Sequence, residues 1–531
     1  MQKVAEKIKK IRIEEDLQNE GTELPHMWSK CIGAGRAAEG LRAGWQKQLR
    51  QAKKECGFEY IRFHGLLAED MFVCERRDEK IYFNWQYIDE LFDFLMEIQV
   101  RPVVEFGFMP PALASGNTTQ FWWKGNVTPP SDYSEWSRLI HELILHWKER
   151  YGLAEIRQWY YEVWNEPNLN AFWDATRSEY FQLYEETVKA VKSVDFDLRV
   201  GGPATSNFVP DDRFDFEVED VSRQMTHRVE NLDCLNWRGV WIEAFLTYCS
   251  ERKLPVDFVS AHPYPTDFAL DGQQTMKGRS RSVGSLQDDM EWMRKTVTAS
   301  AYPNAEILLT EWSSSPTSRD YSHDYLPAAD YIIQSNLDTA GMANCLSYWV
   351  FTDIFEEVGG GPQALHGGFG LMNVKGFRKP AYYAYQFLNH LGNRQLKRGE
   401  QYIVTKKENG KLSALIWNYA EELKTAIPIS EYPDYKTAEA IQQMGSLVEV
   451  QIHIGGLKPR SKVCVWILEK ENTLAEYWAK VGYPQNFTKK QEEELAHQVP
   501  KKNIWQVGED GVLDETVTIG PWGIVMIEEV E

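Results

Sequence analysis

Short apolar runs alternate with amphipathic stretches along the first three quarters of the chain. Within 89–98, for example, Leu91, Phe94, Leu95 and Ile98 recur at the spacing of one helix face. The apolar runs have the length of buried strands and predict eight of them, at 27–32, 58–63, 100–106, 159–166, 198–201, 256–261, 307–312 and 345–351. Helical spacing follows at 41–54, 89–98, 136–151, 177–194, 239–251, 286–300, 328–340 and 380–391. This alternation is typical of an α/β fold of the (β/α)8 TIM-barrel type.

The pattern changes near residue 395. Alternating apolar and polar residues predict short strands at 401–406, 412–418, 447–454, 462–468 and 517–527, with a helical piece at 488–498. Residues 4–13 could add one more strand to this region. We therefore expect an N-terminal arm, 1–25, that joins a β-rich, β-sandwich-like domain, 395–531, with the barrel, 26–394, between them.

Glycines follow the first predicted strand, in the sequence Gly33-Ala34-Gly35-Arg36. We expect a turn there, because glycine tolerates the backbone conformations that turns require. A lone G-x-G pattern is too weak to indicate phosphate binding.

Polar side chains collect where the predicted barrel strands end. They are Arg62 and His64, Asn165 and Glu166, His262 and Tyr264, Glu311, and then Trp349, Glu356 and Glu357 after the eighth strand. A single histidine or glutamate at a strand end is more often structural than functional. Barrel enzymes, however, place their chemistry at the C-terminal ends of the strands. The convergence of so many polar side chains at that face therefore indicates an active site.

Two of these side chains are glutamates that end apolar runs. Pro167 cannot continue a strand ladder, so the fourth strand should stop at about Glu166. Glu311 ends the seventh run, 145 positions later (311 − 166). Several strand–helix units fit in that interval, so the two glutamates should face one mouth from different strands. Two carboxyl groups that flank a bond are the arrangement used for glycoside hydrolysis.

Aromatic side chains are abundant, with 20 Trp, 25 Tyr and 24 Phe. A large core would explain most of them. Phe121, Trp122 and Trp123, however, lie in a polar loop, 114–132, where exposed aromatics are typical of a surface that contacts a ligand. Since aromatic faces stack on the C–H faces of sugars, we expect Phe121 and Trp122 to contact substrate.

Charge and cysteine usage exclude some classes of function. The formal net charge of −20 (58 basic minus 78 acidic) argues against binding to nucleic acid or anionic membranes. No run approaches the roughly 20 apolar residues of a membrane span, and 1–20 lacks an apolar signal core. Seven cysteines, with neither zinc-site nor disulfide spacing, favour a reducing, cytoplasmic location.

The acidic stretch at 207–233 fits no EF-hand and predicts a solvated insertion.

With these motifs the chain resembles family 39 of the glycoside hydrolases, a clan A family that contains β-xylosidases and α-L-iduronidase. The acid/base motif is similar to Glu162-Val163-Trp164-Asn165-Glu166-Pro167-Asn168, and the nucleophile motif to Leu309-Thr310-Glu311-Trp312. The similarity extends through Trp28-Ser29-Lys30-Cys31, Arg62-Phe63-His64-Gly65, Glu105-Phe106-Gly107-Phe108-Met109-Pro110, Phe121-Trp122-Trp123-Lys124-Gly125 and Tyr348-Trp349-Val350-Phe351-Thr352-Asp353. Asn-Glu-Pro alone marks the clan, whereas the full set marks the family.

The resemblance implies a retaining double displacement that releases xylose from the non-reducing end of β-1,4-xylo-oligosaccharides or β-xylosides. Glu311 would be the nucleophile, and Glu166 the acid and base. Arg62 and Tyr264 would support the charge of Glu311, and Asn165 would hydrogen-bond to the sugar 2-OH. His64 and Glu357 would contact the other hydroxyls, with Glu356 nearby. His262 would line the subsite, and Trp349 would form its floor. No metal or organic cofactor is implied. Family members are similar in forming oligomers, so a homo-oligomer is expected.

Three alternatives stay open on the sequence. The first keeps the chemistry and changes the sugar, giving a β-glucosidase, β-galactosidase or arabinosidase; a single CH₂OH group separates these sugars and is worth only ~1–3 kcal/mol in a pocket. The second is a carbohydrate-binding protein without turnover, which the presence of both glutamates disfavours. The third is a transglycosylase, in which a sugar replaces water as the acceptor.

Overall fold

A closed barrel of eight parallel strands forms the centre of the computed structural model, which describes residues 8–210, 237–270 and 276–530. The strands follow one another around the barrel in chain order: Cys31–Arg36, Tyr60–His64, Arg101–Phe106, Tyr160–Val163, Arg199–Ser206, Phe258–His262, Glu306–Trp312 and Cys345–Tyr348. The helices that follow them are Ala43–Cys56, Gln86–Glu97, Tyr133–Tyr151 with Leu153–Ile156, Arg177–Val194, Ile242–Glu251, Ser285–Ala299, Leu326–Asp338 and Pro380–His390. The predicted (β/α)8 fold is confirmed. Residues 211–233 of the predicted acidic insertion lie outside the described residues.

The start of the barrel differs from the sequence-based expectation. Met27–Ser29 forms a 3-10 helix, and the first strand is Cys31–Arg36, which contains the glycines that were expected to turn. Glycine is needed at position 33 because a Cβ there would lie 2.7 Å from Cε3 of Trp349. The glycine therefore lets the tryptophan that follows the eighth strand lie directly on the first.

The fourth strand is shorter than predicted and ends at Val163. Beyond it, Trp164 and Glu166 have positive φ angles of 71° and 43°, a conformation that non-glycine residues rarely adopt. The amide of Glu166 donates a hydrogen bond to the carbonyl of Ala204 at 2.9 Å. Glu166 therefore lies on a tight turn just beyond the end of the fourth strand, and this turn is hydrogen-bonded to the fifth strand.

Two-stranded antiparallel sheets lie in the loops beyond the C-terminal ends of the strands. They pair Cys74–Arg77 with Lys80–Phe83, Thr119–Gln120 with Gly125–Asn126, Phe208–Pro210 with Trp237–Gly239, and Thr266–Leu270 with Met276–Ser280. These small sheets lie in the loops after strands two, three, five and six, on the face where the polar strand ends collect.

Two sheets form the β-rich region. The three-stranded sheet has the order Lys9–Asp16, Val448–Gly455, Leu513–Ile519; the seven-stranded sheet has the order Thr22–Glu23, Arg394–Gly399, Tyr402–Lys406, Leu412–Trp417, Ile524–Glu529, Lys462–Leu468, Lys501–Gln506. Helices Tyr435–Ile441, Leu474–Lys480 and Lys489–Leu495 accompany them. The prediction of one strand at 517–527 is wrong, because a turn at Trp522 (φ 59°) separates two strands that belong to different sheets.

Alternate residues of the strand Leu412–Trp417 pack in two different cores. Ala414 and Ile416 pack in the apolar core between the two sheets, whereas Leu415 and Trp417 belong to the large core of the barrel. The indole nitrogen of Trp417 also donates to Oε1 of Gln334 on a barrel helix at 2.8 Å. This strand of the seven-stranded sheet is therefore buried on both faces. The division at residues 25/26 and 394/395 stays a prediction.

Within the described ranges, no helix combines the length and apolarity that crossing a bilayer requires. The six cysteines in these ranges are free thiols, and Cys234 lies outside them.

A buried lysine ties the loops after strands seven and eight to the last barrel helix. Nζ of Lys379 lies 2.6 Å from Oδ1 of Asp324, 2.7 Å from Oδ2 of Asp353 and 2.8 Å from the carbonyl of Gly368. All three charged side chains are fully buried. Removing the cation would leave two carboxylates without water or a counter-charge.

We expect Lys379→Met to lower the free energy of unfolding by about 3–5 kcal/mol, the usual cost of breaking a buried ion pair from one side. Urea unfolding at neutral pH measures it. Lys375→Met is the matched control, because Lys375 is 60% exposed and lies 3.8 Å from Glu492; its effect should stay within about 0.5 kcal/mol. Equal losses in the two variants would contradict a special role for the buried pair.

Candidate active site

Arg62 lies at the centre of the site, in the middle of the second strand, and is fully buried. Its Nε is 2.6 Å from Oε2 of Glu162, its Nη2 3.0 Å from Oε2 of Glu105, and its Nη1 3.5 Å from Oε2 of Glu311. Burial alone would lower the pKa of Arg62, but these carboxylates outweigh it and raise the pKa above its usual value. One permanent cation thus faces three glutamates from three different strands.

Glu311 ends the seventh strand with donors on both carboxylate oxygens. The hydroxyl of Tyr264 donates to Oε1, and Arg62 reaches Oε2. Burial raises the pKa of Glu311 above its usual value, and the positive charge of Arg62 opposes that rise. Hydrogen bonds to a carboxylate favour its charged form, so this environment suits an ionised group.

Glu166 has a different environment on the turn after the fourth strand. Burial raises its pKa to about 7, although a hydrogen bond from Ser206 opposes the rise. Its Oε1 lies 2.9 Å from Nδ1 of His262. Burial also lowers the pKa of His262, to about 4, so this imidazole is neutral near pH 7.

A chain of hydrogen bonds selects the tautomer of His262. The hydroxyl of Thr310 donates to Oε1 of Glu162 at 2.7 Å, which leaves the oxygen of Thr310 free to accept from Nε2 of His262 at 3.1 Å. Nε2 then carries the proton, and Nδ1 is an acceptor that faces Glu166. An acceptor at that position favours the protonated form of Glu166.

The two predicted glutamates are brought together. A carboxylate oxygen of Glu166, one of Glu311 and a ring nitrogen of His262 all lie within 4.8 Å of one another. In type and spacing these three atoms would also suit a metal ion, although the guanidinium of Arg62 lies 3.5 Å from Glu311. That the site works without a metal stays a prediction.

Asn165 is oriented by Arg62, whose Nη2 donates to Oδ1 of Asn165 at 3.0 Å. Nδ2 of Asn165 is buried and has no hydrogen-bond partner among the described residues. An unpaired buried donor costs free energy unless something else accepts from it. The amide is therefore available to a ligand beside the two glutamates.

His64, Trp349 and Glu357 form one side of the site. Nδ1 of His64 is 2.6 Å from Oε2 of Glu105, and Nε2 is 3.7 Å from Oε1 of Glu357. The His64 and Trp349 rings lie 4.7 Å apart, and Trp349 is 1% exposed. Burial raises the pKa of Glu357 well above its usual value, and the charge of Glu311 adds to the rise.

The other predicted residues lie further out. The carboxylate of Glu356 contacts Arg42 and Arg36 instead of the two central glutamates. Phe121 is half-buried and stacks on Trp123 with the ring centroids 5.3 Å apart. Trp122 is 56% exposed, and its indole N–H donates to the carbonyl of Glu356.

Sequence reasoning did not single out Glu105, Glu162 and Thr310 as parts of the site. All three are buried within barrel strands, where their side chains hold Arg62, His64 and His262. The available signal was a charged residue in the middle of an apolar run, as in Val103-Val104-Glu105-Phe106. A buried charge needs a partner, but the sequence does not say which.

The barrel and its two close carboxyl groups define the class of two-carboxylate glycoside hydrolases. The model of the family described as Glycosyl hydrolases family 39 matches residues 9–511. This match covers most of the chain, so the protein belongs to glycosyl hydrolase family 39.

Relatives agree with this assignment. The chain is 41% identical over 373 residues to a β-xylosidase of Caldicellulosiruptor saccharolyticus, covering 70% of each chain. It is 36% identical over 419 residues to a β-xylosidase of Geobacillus stearothermophilus, covering 76% of this chain and 77% of the relative. Among solved structures, a monomeric β-xylosidase from Caulobacter crescentus superposes with a TM-score of 0.82 at 29% identity, covering 98% of this chain and 99% of that one.

The raised pKa of Glu166 makes the stability of the protein depend on pH. In the unfolded chain Glu166 ionises near 4.5, and in the folded protein near 7. Wild type should therefore lose stability relative to Glu166→Gln as pH rises from about 4.5 to about 7, reaching a deficit of about 3 kcal/mol above that range. Urea unfolding of both proteins across this range measures the difference.

Glu356→Gln is the matched control with the opposite sign. Burial would raise the pKa of Glu356, but Arg42 and Arg36 outweigh it, so the pKa is lowered. This variant should be less stable than wild type at neutral pH and approach it as pH falls. A pH-independent gap between wild type and Glu166→Gln would contradict the raised pKa.

Proposed function

We propose that this protein is a retaining, exo-acting β-xylosidase that releases xylose from the non-reducing end of β-1,4-xylo-oligosaccharides or β-xylosides. The observation that carries the mechanism is the approach of oxygens of Glu166 and Glu311 to within 4.8 Å. Carboxyl groups lie about 5–5.5 Å apart in retaining enzymes and about 6.5–9.5 Å apart in inverting ones. The β-xylosidases among the relatives support the choice of sugar.

In the first step Glu311 is the nucleophile. A carboxylate oxygen of Glu311 attacks the anomeric carbon while the bond to the leaving oxygen breaks, and Glu166 gives its proton to that oxygen. Tyr264 and Arg62 hold Glu311 as a carboxylate until the attack. The product is a xylosyl ester on Glu311.

In the second step Glu166 is the base. The ester has removed the charge of Glu311, so the pKa of Glu166 falls and its carboxylate can take a proton from water. The water oxygen attacks the anomeric carbon and Glu311 leaves, which gives net retention. Before the first step, Nδ1 of His262, 2.9 Å from Oε1 of Glu166, accepts from the protonated carboxyl group and orients it.

The glycone lies against side chains around the nucleophile. The unpaired Nδ2 of Asn165 donates to the sugar 2-OH, a contact that strengthens in the transition state. His64 and Glu357 bind the remaining hydroxyls, and Trp349 forms the floor. None of these four side chains carries a permanent positive charge, so they suit a neutral sugar better than a uronic acid, whose carboxylate needs cationic partners.

The cellular setting is also proposed. Free thiols at the six described cysteines support a reducing, cytoplasmic location. We also propose that the protein forms a homo-oligomer and that catalysis needs no cofactor. The partner is a xylo-oligosaccharide, and nucleic acid is disfavoured by the net charge of −20.

We expect wild type to prefer p-nitrophenyl β-xyloside over the β-glucoside, β-galactoside and α-arabinoside. Glu311→Ala should abolish turnover. Glu166→Ala should lose about 10²–10⁴-fold in rate, because general acid catalysis contributes on that scale. A dinitrophenyl leaving group needs little protonation, so the loss in Glu166→Ala should be much smaller with it. A preference for another sugar would overturn the substrate and keep the mechanism.

Azide, added as an external nucleophile, distinguishes the acid/base from the nucleophile by the anomer of the xylosyl azide that forms. In Glu166→Ala it should attack the xylosyl ester and give β-xylosyl azide. In Glu311→Ala it should enter from the vacated face and give the α anomer. Identical anomers from both variants, identified by proton NMR, would contradict the assignment of acid/base and nucleophile.

The activity of wild type should fall as pH rises through about 7, because Glu166 then loses the proton it must donate. It should fall again at acid pH, where Glu311 takes up a proton and stops being a nucleophile. The pH profile of kcat/KM for p-nitrophenyl β-xyloside measures both limbs. Glu166→Ala with the dinitrophenyl xyloside should keep the acid limb and lack the basic one; an unchanged basic limb would contradict the role of Glu166.

A further inference from the structure

One hydrogen bond crosses part of the barrel mouth. The indole N–H of Trp122, in the loop after the third strand, donates to the carbonyl of Glu356, in the loop after the eighth. Strands one and two lie between strands eight and three in the closed barrel. The Trp122–Glu356 bridge therefore passes over the ends of strands one and two, from which Arg36 and His64 project.

Arg36 braces this bridge from below. It is 5% exposed, and its guanidinium lies 5.4 Å from the ring centroid of Trp122 and 5.3 Å from that of Trp123. The same guanidinium pairs with Asp70 and lies 3.5 Å from Oε2 of Glu356. Cation–π contacts gain strength when they are desolvated, so Arg36 holds the indole in place.

Glu39 fixes the backbone at both ends of the brace. Its Oε2 accepts from the amide of Arg36 at 3.2 Å, and its Oε1 accepts from the amide of Glu356 at 3.0 Å. Arg42 binds the carboxylate of Glu356 from the outside. Loops after strands one, two, three and eight are thereby joined into one wall.

The wall faces the end of the sugar that is remote from the leaving group. The leaving group must lie beside Glu166, on the turn after the fourth strand, whereas Glu357 and His64 lie on the side of strands eight, one and two. The O4 end of the glycone therefore points at the bridge. A second sugar attached at O4 would have to occupy the space of Trp122 and Arg36.

We propose that the Trp122–Glu356 bridge, braced by Arg36, limits the glycone side to one sugar and is the determinant of exo-action. This inference rests on the proposed β-xylosidase function and adds the residues that set its cleavage pattern. It also assigns the carboxylate of Glu356 to the wall, with Glu357 as the glutamate that faces the sugar.

The test uses p-nitrophenyl β-xylobioside at low concentration, so that transfer to a second sugar is suppressed. Wild type should release xylose first and nitrophenol only after a lag. Trp122→Ala should open the wall and release xylobiose together with nitrophenol, without a lag. We expect the early ratio of xylobiose to xylose to rise about tenfold or more, the scale on which pockets discriminate small groups. This ratio does not depend on how much total activity the variant retains.

Two further variants keep the test decisive. Asp70→Asn frees Arg36 without touching the indole, and it should shift the ratio in the same direction by a smaller factor. Phe72→Ala is the matched control, because Phe72 is an exposed aromatic in the loop after strand two whose ring packs on Tyr87 and not on Arg36; its ratio should equal that of wild type.

Unchanged ratios in both Trp122→Ala and Asp70→Asn, with wild type active on p-nitrophenyl β-xyloside, would overturn this inference and leave the β-xylosidase function standing. An equal shift in Phe72→Ala would also overturn it, because general loosening of the rim would then explain the result. A wild type inactive on both substrates would overturn the proposed function and this inference together.

Discussion

The buried guanidinium of Arg62 is the interaction on which the site depends. It carries one positive charge among Glu105, Glu162 and Glu311, which come from the third, fourth and seventh strands. Each of its three nitrogens has a carboxylate or amide partner. Removing Arg62 would leave three buried carboxylates without the counter-charge they share, which is costly. The barrel geometry and the chemistry of the site are therefore maintained by the same ion cluster.

The residues around Arg62 also give the carboxyl groups of Glu166 and Glu311 different hydrogen-bond partners. Glu311 receives donors from Tyr264 and Arg62, whereas Glu166 faces a neutral imidazole whose acceptor nitrogen is set by Thr310 and Glu162. Burial raises the pKa of both glutamates, and the charge of Arg62 opposes the rise at both. The difference is the hydroxyl donor of Tyr264 at Glu311 and the acceptor nitrogen of His262 at Glu166. Two glutamates in one pocket can thus hold different protonation states because their hydrogen-bond partners differ.

Around this rigid centre the loops set the shape of the mouth. The buried Lys379 fastens the loops after strands seven and eight to the last barrel helix, and the wall of Arg36, Trp122 and Glu356 joins the loops on the opposite flank of strand one. The seven-stranded sheet packs against the barrel helices through Trp417. Arg62 and Glu311 thus lie within barrel strands and Glu166 on the turn after one, whereas buried charges hold the loops around them.

The sequence by itself determined the alternation of strands and helices, the glutamates that end two apolar runs, and the polar strand ends that meet at one face. Periodicity and strand-breaking residues such as Pro167 are local properties, so they can be read without partners. Only the tertiary structure decided that position 33 needs a glycine, because the ring of Trp349 lies against it. Trp349 follows the eighth strand, which is distant in sequence but adjacent to the first strand in the closed barrel. The tertiary structure likewise decided that Glu356 pairs with arginines, that Glu105 and Glu162 hold Arg62, and that 517–527 divides between two sheets. Each of these depends on contacts between residues distant in the chain, which local patterns of polarity do not encode.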